Sequence, residues 1–170
     1  MSASFGRAGP GPRPCENIPF PEAVWDLPTT PRAKTKLLFV CRTHEVLAPM
    51  AAGLARAAYG DLDIAIESAG LSPGEVDPWA VAVMAELDID ISRTPPTSVR
   101  DLKLETFEVI VSLGARRLAA ASSQLALEWD IAEPERPSGS SARLAVREVR
   151  GALSARLRAL HAILTAAGQA

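Results

Sequence analysis

The sequence is poor in the residues that mark several classes of protein. Its 170 residues include two cysteines and two histidines, and its formal charge is −2. Two cysteines are too few for a disulfide framework or a cysteine-rich zinc site, and two histidines without clustered acids do not make a metal site. A glycine-rich nucleotide motif is also missing, and the charge does not indicate a basic face for nucleic acid. We therefore expect no metal, no cofactor and no nucleic-acid partner.

Long hydrophobic runs are missing as well. No stretch of about 18 apolar residues occurs, and the N-terminus "MSASFGRAGPGPRP" lacks the apolar centre of a signal peptide. A cytoplasmic protein without a membrane segment is the expectation. Arginine outnumbers lysine 15 to 3 and alanine is abundant, which hints at a GC-rich bacterial genome.

Proline is concentrated in one place. Residues 1–34 hold seven of the 14 prolines and show neither helical nor strand periodicity, which predicts an extended N-terminal arm. Phe20 and Trp25 are among its apolar side chains, and they can pack on the domain or dock on a partner protein. Residues 35–170 are then the domain, which is long enough to bury one core.

From residue 36 the pattern changes to strands that alternate with helices. Strands are predicted for "KLLFV", "DIAIESAG", "FEVIVSLG" and "ALEWDI". Helices are predicted for "APMAAGLARAAYG", "DPWAVAVMAELDID", "ARRLAAASSQ" and the closing stretch of residues 140–168. This alternation predicts an α/β three-layer sandwich with a four-stranded parallel sheet, and ligands in such folds bind beyond the carboxyl ends of the strands.

The closing helix carries a predicted apolar stripe opposite an arginine-rich face, and we expect these arginines to be solvated. The stripe consists of Leu144, Val149, Leu153, Leu157, Leu160 and Leu164.

Cys41 follows the first predicted strand and precedes a predicted helix. A helix N-terminus offers unpaired backbone N–H groups and a partial positive charge, which bind anions and lower the pKa of a cysteine. A lone cysteine after a buried strand is also frequently a small core residue. The residues by themselves leave both interpretations open.

Five segments together resemble the low-molecular-weight protein tyrosine phosphatases and the thioredoxin-type arsenate reductases of the same fold. They are "LLFVC", "APMAAGLAR", "ESAGLSPGEVDPWAVAVMAELDIDIS", "FEVIVSLG" and "EWDIAEP". The family's loop is C-x5-R-[ST]-P, with glycine and asparagine inside it. On "CRTHEVLAP" the resemblance places Cys41 at the nucleophile and Pro49 at the proline. The glycine, asparagine, arginine and hydroxyl residue are replaced by Thr43, His44, Leu47 and Ala48.

These replacements remove the groups that such a loop uses on phosphate. Leu47 cannot give the bidentate pair of an arginine, and the loss of one preorganised donor costs about 3 to 4 kcal/mol of transition-state stabilisation. Without a hydroxyl at Ala48 we expect a higher pKa of Cys41. Thr43 is β-branched and resists the positive φ that glycine allows, so we expect a reshaped loop.

Other loop residues offer partial replacements. Arg42 or a protonated His44 can supply positive charge, although an exposed loop arginine and a loop-fixing histidine are the simpler interpretations. Glu45 adds a negative charge beside Val46 and repels a phosphate dianion. The resemblance places Glu133 of "EP" at the general acid, and Asp130 is a second candidate with a simpler role as a cap.

Three functions follow from this reading. The first is a degenerate family member that binds a protein partner through the cleft at residues 41–48 or through the arm around Phe20 and Trp25. The second is an enzyme that uses Cys41 as a nucleophile or redox thiol in a changed reaction. The third is residual phosphatase or arsenate reductase activity, although the reductases need further cysteines and this chain has only Cys15 in the arm. The sequence does not predict the oligomeric state.

Overall fold

A computed structural model describes residues 34–114, 125–134 and 140–168. Almost all of the predicted arm, with Cys15, Phe20 and Trp25, lies outside the described residues, and so does the helix predicted over 115–124. These features therefore stay predictions. No helix in the described ranges is long and apolar enough to cross a membrane.

Four strands form the sheet. They are β1 (Thr35–Cys41), β2 (Ile64–Gly70), β3 (Val109–Leu113) and β4 (Leu125–Trp129). The order across the sheet is β2-β1-β3-β4, and every pairing is parallel. This confirms the predicted four-stranded parallel sheet. It also gathers the carboxyl ends of the strands at one edge, where Cys41 pairs with Gly70.

Three helices are described: α1 (Leu47–Ala58), α2 (Pro78–Ala85) and α3 (Ser140–Gly168). At the start of α2, the side chain of Asp77 accepts a hydrogen bond of 2.7 Å from the backbone N–H of Trp79, as expected for an Asp cap before proline. The prediction that this helix continues to residue 90 is wrong. Asp88 has φ of 57°, a left-handed conformation that ends a right-handed helix.

The sheet separates two apolar clusters, and β1 contributes to both. Leu37, Phe39 and Cys41 face the cluster that also contains the buried sides of α1, α2 and α3. Leu38 and Val40 face the other cluster, which includes residues of the short 3₁₀ turns after α2. Successive side chains of a strand point to opposite faces, so a continuous apolar run indicates a strand buried on both sides.

The predicted stripe on α3 is wrong at its first position. Leu144 is 57% exposed, whereas Val146 is buried together with Val149 and Leu153. A step of five residues turns about 140° around a helix axis, so Leu144 and Val149 do not share a face. The steps of three and four from Val146 keep the stripe in line.

The arginine face of α3 is only partly solvated, because three arginines bind one carboxylate of the α2 end. Arg143, Arg147 and Arg150 place their nearest nitrogens 2.7, 2.6 and 3.0 Å from the carboxylate oxygens of Glu86. Arg147 and then Arg143 contribute most to lowering the pKa of Glu86 to about 2. This cluster ties α3 to the end of α2.

Candidate functional site

The loop of residues 42–46 connects β1 to α1 at the carboxyl edge of the sheet. Its backbone carbonyls accept hydrogen bonds of 2.8 to 3.1 Å from the segment that connects β2 to α2. Three carbonyls of the loop and that of Cys41 are therefore held by the segment between β2 and α2. The acceptor and donor pairs are Cys41 with Leu71, Arg42 with Ser72, Thr43 with Gly74, and Glu45 with Asp77.

The left-handed residue of the loop is His44, with φ of 57°. Thr43 does not have a positive φ, in line with the expectation that a β-branched residue resists this conformation, and the expected reshaping of the loop stays a prediction. Histidine is one of the residue types that adopt this conformation more readily. The loop also packs closely on β2, because a Cβ at Gly70 would lie 2.7 Å from the Cβ of His44. Sequence reasoning missed this glycine, although its place at the end of a strand was visible.

Cys41 lies under the loop and is fully buried. Its Sγ accepts a hydrogen bond of 3.1 Å from the backbone N–H of His44. Burial raises the pKa of the Cys41 thiol; the backbone N–H groups of Ala48, His44 and Thr43 oppose this, and the charge of Glu133 adds to it. The direction agrees with the sequence expectation, but its largest cause is burial rather than the missing hydroxyl.

The ring of His44 lies beside β2 and is fully buried. Its Nε2 is 3.0 Å from Oγ of Ser68, and Nδ1 has no hydrogen-bond partner in the part of the chain that the structure describes. Burial lowers the pKa of His44, which keeps the ring neutral. These contacts favour the loop-fixing interpretation over a cation that faces a ligand.

Leu47 and Ala48 begin α1, and both are fully buried. The Leu47 side chain points toward the end of β3, since its Cδ1 would lie 3.5 Å from a Cβ placed on Gly114. Gly114 has φ of 57°, and such a Cβ would be 2.5 Å from the carbonyl oxygen of Ile131. Leu47 thus fills an apolar site and offers no hydrogen-bond donor where the resemblance places an arginine.

Glu133 reaches the loop from the segment after β4. Its Oε1 accepts a hydrogen bond of 3.1 Å from the Thr43 hydroxyl, and its Oε2 accepts one of 3.3 Å from the Arg42 guanidinium. The Arg42 side chain is 72% exposed and that of Glu133 is 26% exposed. The structure therefore brings together the general-acid position and the loop. Asp130, the second candidate, is exposed and does not line the cleft described next.

A cleft of about 440 Å³ lies above the loop. Its described lining includes neither Cys41, His44 nor Leu47, so the side chains below the loop do not reach it. Sequence reasoning missed the contribution of α3 and of Trp79, which is 39% exposed, although "DPW" follows the carboxyl end of β2. The lining consists of Arg42, Thr43, Glu45, Val46, Asp77, Pro78, Trp79, Glu133, Pro134, Ala142 and Val146.

Known proteins share this fold and parts of the sequence. A protein of Synechocystis sp. named glutaredoxin arsenate reductase is 32% identical over 128 residues, which are 72% of this chain and 92% of that relative. A solved arsenate reductase in the phosphate binding state superposes with a TM-score of 0.64 and 29% identity, covering 75% of this chain and 97% of its own. An arsenate reductase from Archaeoglobus fulgidus has a TM-score of 0.58 and 22% identity over 71% of this chain and 98% of its own, which supports the fold alone.

The match to a protein family covers more of the chain. The sequence model of the family described as low molecular weight phosphotyrosine protein phosphatase matches residues 36–170. That range contains the sheet except its first residue, Thr35, and also the loop, the cleft and every described helix. The chain belongs to the low molecular weight phosphotyrosine protein phosphatase family.

Proposed function

We propose that this chain is a binding member of its family that has kept the loop backbone and lost catalysis on phosphate. The observation that carries the proposal is the buried Leu47 in the place of the family's arginine. An arginine there would give a bidentate, charge-assisted pair of hydrogen bonds to two oxygens of an anion such as phosphate. A leucine packed toward Gly114 gives none.

The state of Cys41 supports the same proposal. A cysteine nucleophile attacks as the thiolate and needs access to its substrate. The Cys41 thiol has a raised pKa and no exposed surface. Both properties also disfavour the second reading of the sequence, in which Cys41 serves a changed reaction.

The charges at the mouth of the loop oppose an anionic substrate. Glu133 and Asp77 line the cleft together with Arg42, the only cationic side chain in the described lining. Arg42 is directed to Glu133 rather than left for a ligand. A phosphate or arsenate dianion would meet carboxylates at short range, where like charges repel strongly.

Arsenate reduction is the second candidate, because relatives that cover most of this chain carry that name. Each turnover of such a reaction moves two electrons and leaves two thiols joined as a disulfide or mixed disulfide. This chain has no cysteine after Cys41, and the only other one is Cys15. A reductase mechanism would therefore depend on Cys15 or on an external thiol such as glutathione.

Two assays of the full chain decide between these functions. We expect no hydrolysis of p-nitrophenyl phosphate, and no arsenate-dependent oxidation of glutathione in the presence of glutaredoxin, above the level of the Cys41→Ser variant. Circular dichroism verifies that both proteins are folded. Turnover that disappears in Cys41→Ser would contradict the proposal. Arsenate turnover that disappears in Cys41→Ser would make the second candidate the function, and the Cys15→Ser variant would then show whether Cys15 or glutathione supplies the second thiol.

A further inference from the structure

Part of the lining of the cleft above the loop is apolar, and we call this part the apolar wall. Val46, Pro78, Trp79, Pro134 and Val146 contribute to it, and they come from the loop, α2, the segment after β4, and α3. A cleft built by four separate elements has a shape set by the whole fold. Its apolar wall suits a ligand with a hydrocarbon stem, which loses unfavourable contact with water on entry.

Most of the charged side chains in the described lining are acidic. Among them, Glu133 and Asp77 provide two carboxylates against one guanidinium, that of Arg42. The carboxylate of Asp77 already accepts the N–H of Trp79, which fixes it beside that ring. The excess of negative charge complements a cationic ligand and disfavours an anionic one.

A cationic ligand can displace the Arg42 guanidinium from the Glu133 carboxylate. The N–O distance is 3.3 Å and the Arg42 side chain is 72% exposed. Exposed pairs of this kind contribute about 0 to 1 kcal/mol, so exchange of one cation for another at Glu133 costs little. The Thr43 hydroxyl holds the other oxygen of Glu133 at 3.1 Å, which keeps the carboxylate at the mouth during such an exchange.

We propose that this cleft receives the side chain of a lysine presented by a partner polypeptide. The methylene stem lies along Val46, Pro78 and Val146, and the ammonium replaces Arg42 at Glu133, where the Trp79 ring offers a further cation-binding face. The inference rests on the proposed function, since a binding member of the family needs a ligand that is not a phosphate. It assigns the chemical class of that ligand.

Three peptides test the inference with the full chain. They are acetyl-Ala-Leu-Lys-Leu-Ala-amide and its two matched forms with norleucine or glutamate in place of lysine. Binding is followed by the shift of the Trp79 indole N–H in ¹⁵N NMR spectra, and Trp79→Phe assigns that signal. We expect the lysine peptide to bind, the norleucine peptide to bind at least about fivefold more weakly, and the glutamate peptide not to bind.

Two charge variants give effects of opposite sign. Glu133→Gln should weaken binding of the lysine peptide about fivefold or more, and Arg42→Ala should strengthen it about twofold, because the competing cation is gone. Glu105→Gln and Arg156→Ala change the same charges at exposed positions outside the cleft lining and serve as controls. Their affinities should equal that of the wild type.

Each other outcome overturns the inference. These outcomes are no binding of the lysine peptide, binding of the norleucine or glutamate peptide that is as tight or tighter, and charge variants that have no effect or the reverse order. The proposed function is judged separately by the phosphate and arsenate assays. A protein that is inactive in both assays and also fails to bind the lysine peptide would disprove lysine as the ligand. It would not contradict the proposed loss of catalysis.

Discussion

The floor of the loop and the cleft above it are separated by one layer of backbone, yet their chemistry is opposite. The floor, made by the side chains of Cys41, His44, Leu47 and Ala48, is fully buried. The cleft is open to solvent and lined by Arg42, Glu133 and other polar side chains beside an apolar wall. Cys41 and the residues at the family's asparagine, arginine and hydroxyl positions are core residues, whereas charged and aromatic side chains face solvent in the cleft.

The largest effect on stability is expected when a side chain of the floor is shortened. Leu47→Ala should lower the free energy of unfolding by about 2 to 5 kcal/mol, because it leaves a cavity beside Gly114 in a site with no exposure. Urea titration measures the loss. Val46→Ala, a change of the neighbouring cleft residue, is the control and should cost less. An equal cost at both positions would mean that floor and cleft do not differ as described.

His44 should make the floor sensitive to acid. Its folded pKa is lowered by burial, so its contribution to stability is present above the unfolded pKa of about 6.5 and is lost as the pH falls below it. The unfolding free energy should fall by up to about 1.4 kcal/mol per pH unit in that window. His44→Asn should reduce the slope, since asparagine also tolerates a positive φ.

The control for the acid effect is His161→Asn. His161 lies at the other end of the molecule, half-buried, with Nε2 3.3 Å from the Asp61 carboxylate. Below pH 6.5, the unfolding free energy of this variant should depend on pH as that of the wild type does. If it removed the slope and His44→Asn did not, the neutral buried ring of His44 would be disproved.

Cys41 should be protected from alkylation. In a Cys15→Ser background, which leaves one thiol, iodoacetamide should react at least about tenfold more slowly with the folded protein than with the protein in urea. The folded rate should rise only above the ordinary thiol pKa of 9.0, because burial raises the pKa of Cys41. Fast reaction at pH 7 would show that the Cys41 thiolate is accessible and that the floor is in contact with solvent.

The smallest effect on stability is expected in the cleft. Glu133→Gln should change the unfolding free energy by less than about 1 kcal/mol, because its pair with Arg42 is exposed. The same variant should lower the pKa of Cys41 slightly, since the charge of Glu133 raises it. Glu105→Gln should leave that pKa unchanged. A loss of stability as large as that of Leu47→Ala would contradict the contrast between floor and cleft.

Much of the fold followed from local patterns. The four apolar runs became the four strands, and residues 140–168 became one helix with the predicted bounds. Errors arose where a single residue changes the geometry. Asp88 ended α2 early through its positive φ, and the five-residue step after Leu144 took that side chain out of the buried stripe.

The candidate site could be predicted from the sequence only in part. The strand pattern placed Cys41 at the strand end, where the carboxyl ends of parallel strands share one edge, and the family resemblance placed Glu133 near it. Sequence patterns could not show that His44 is the loop residue with a positive φ. Nor could they show that the missing side chain of Gly70 leaves room for the loop. The contribution of Trp79 and α3 to the cleft was also beyond them, since it depends on how helices distant in the chain pack around the loop.

The sequence by itself determined the alternation of strands and helices, the place of Cys41 after the first strand, and the residues Thr43, Leu47 and Ala48 at the family's glycine, arginine and hydroxyl positions. These are properties of residue type and spacing, which do not depend on how the chain packs. Only the tertiary structure decided which way each loop side chain points. Hydrogen bonds from the β2 to α2 segment hold the loop carbonyls, which leaves Cys41 and His44 sealed below and Arg42 and Glu133 paired above.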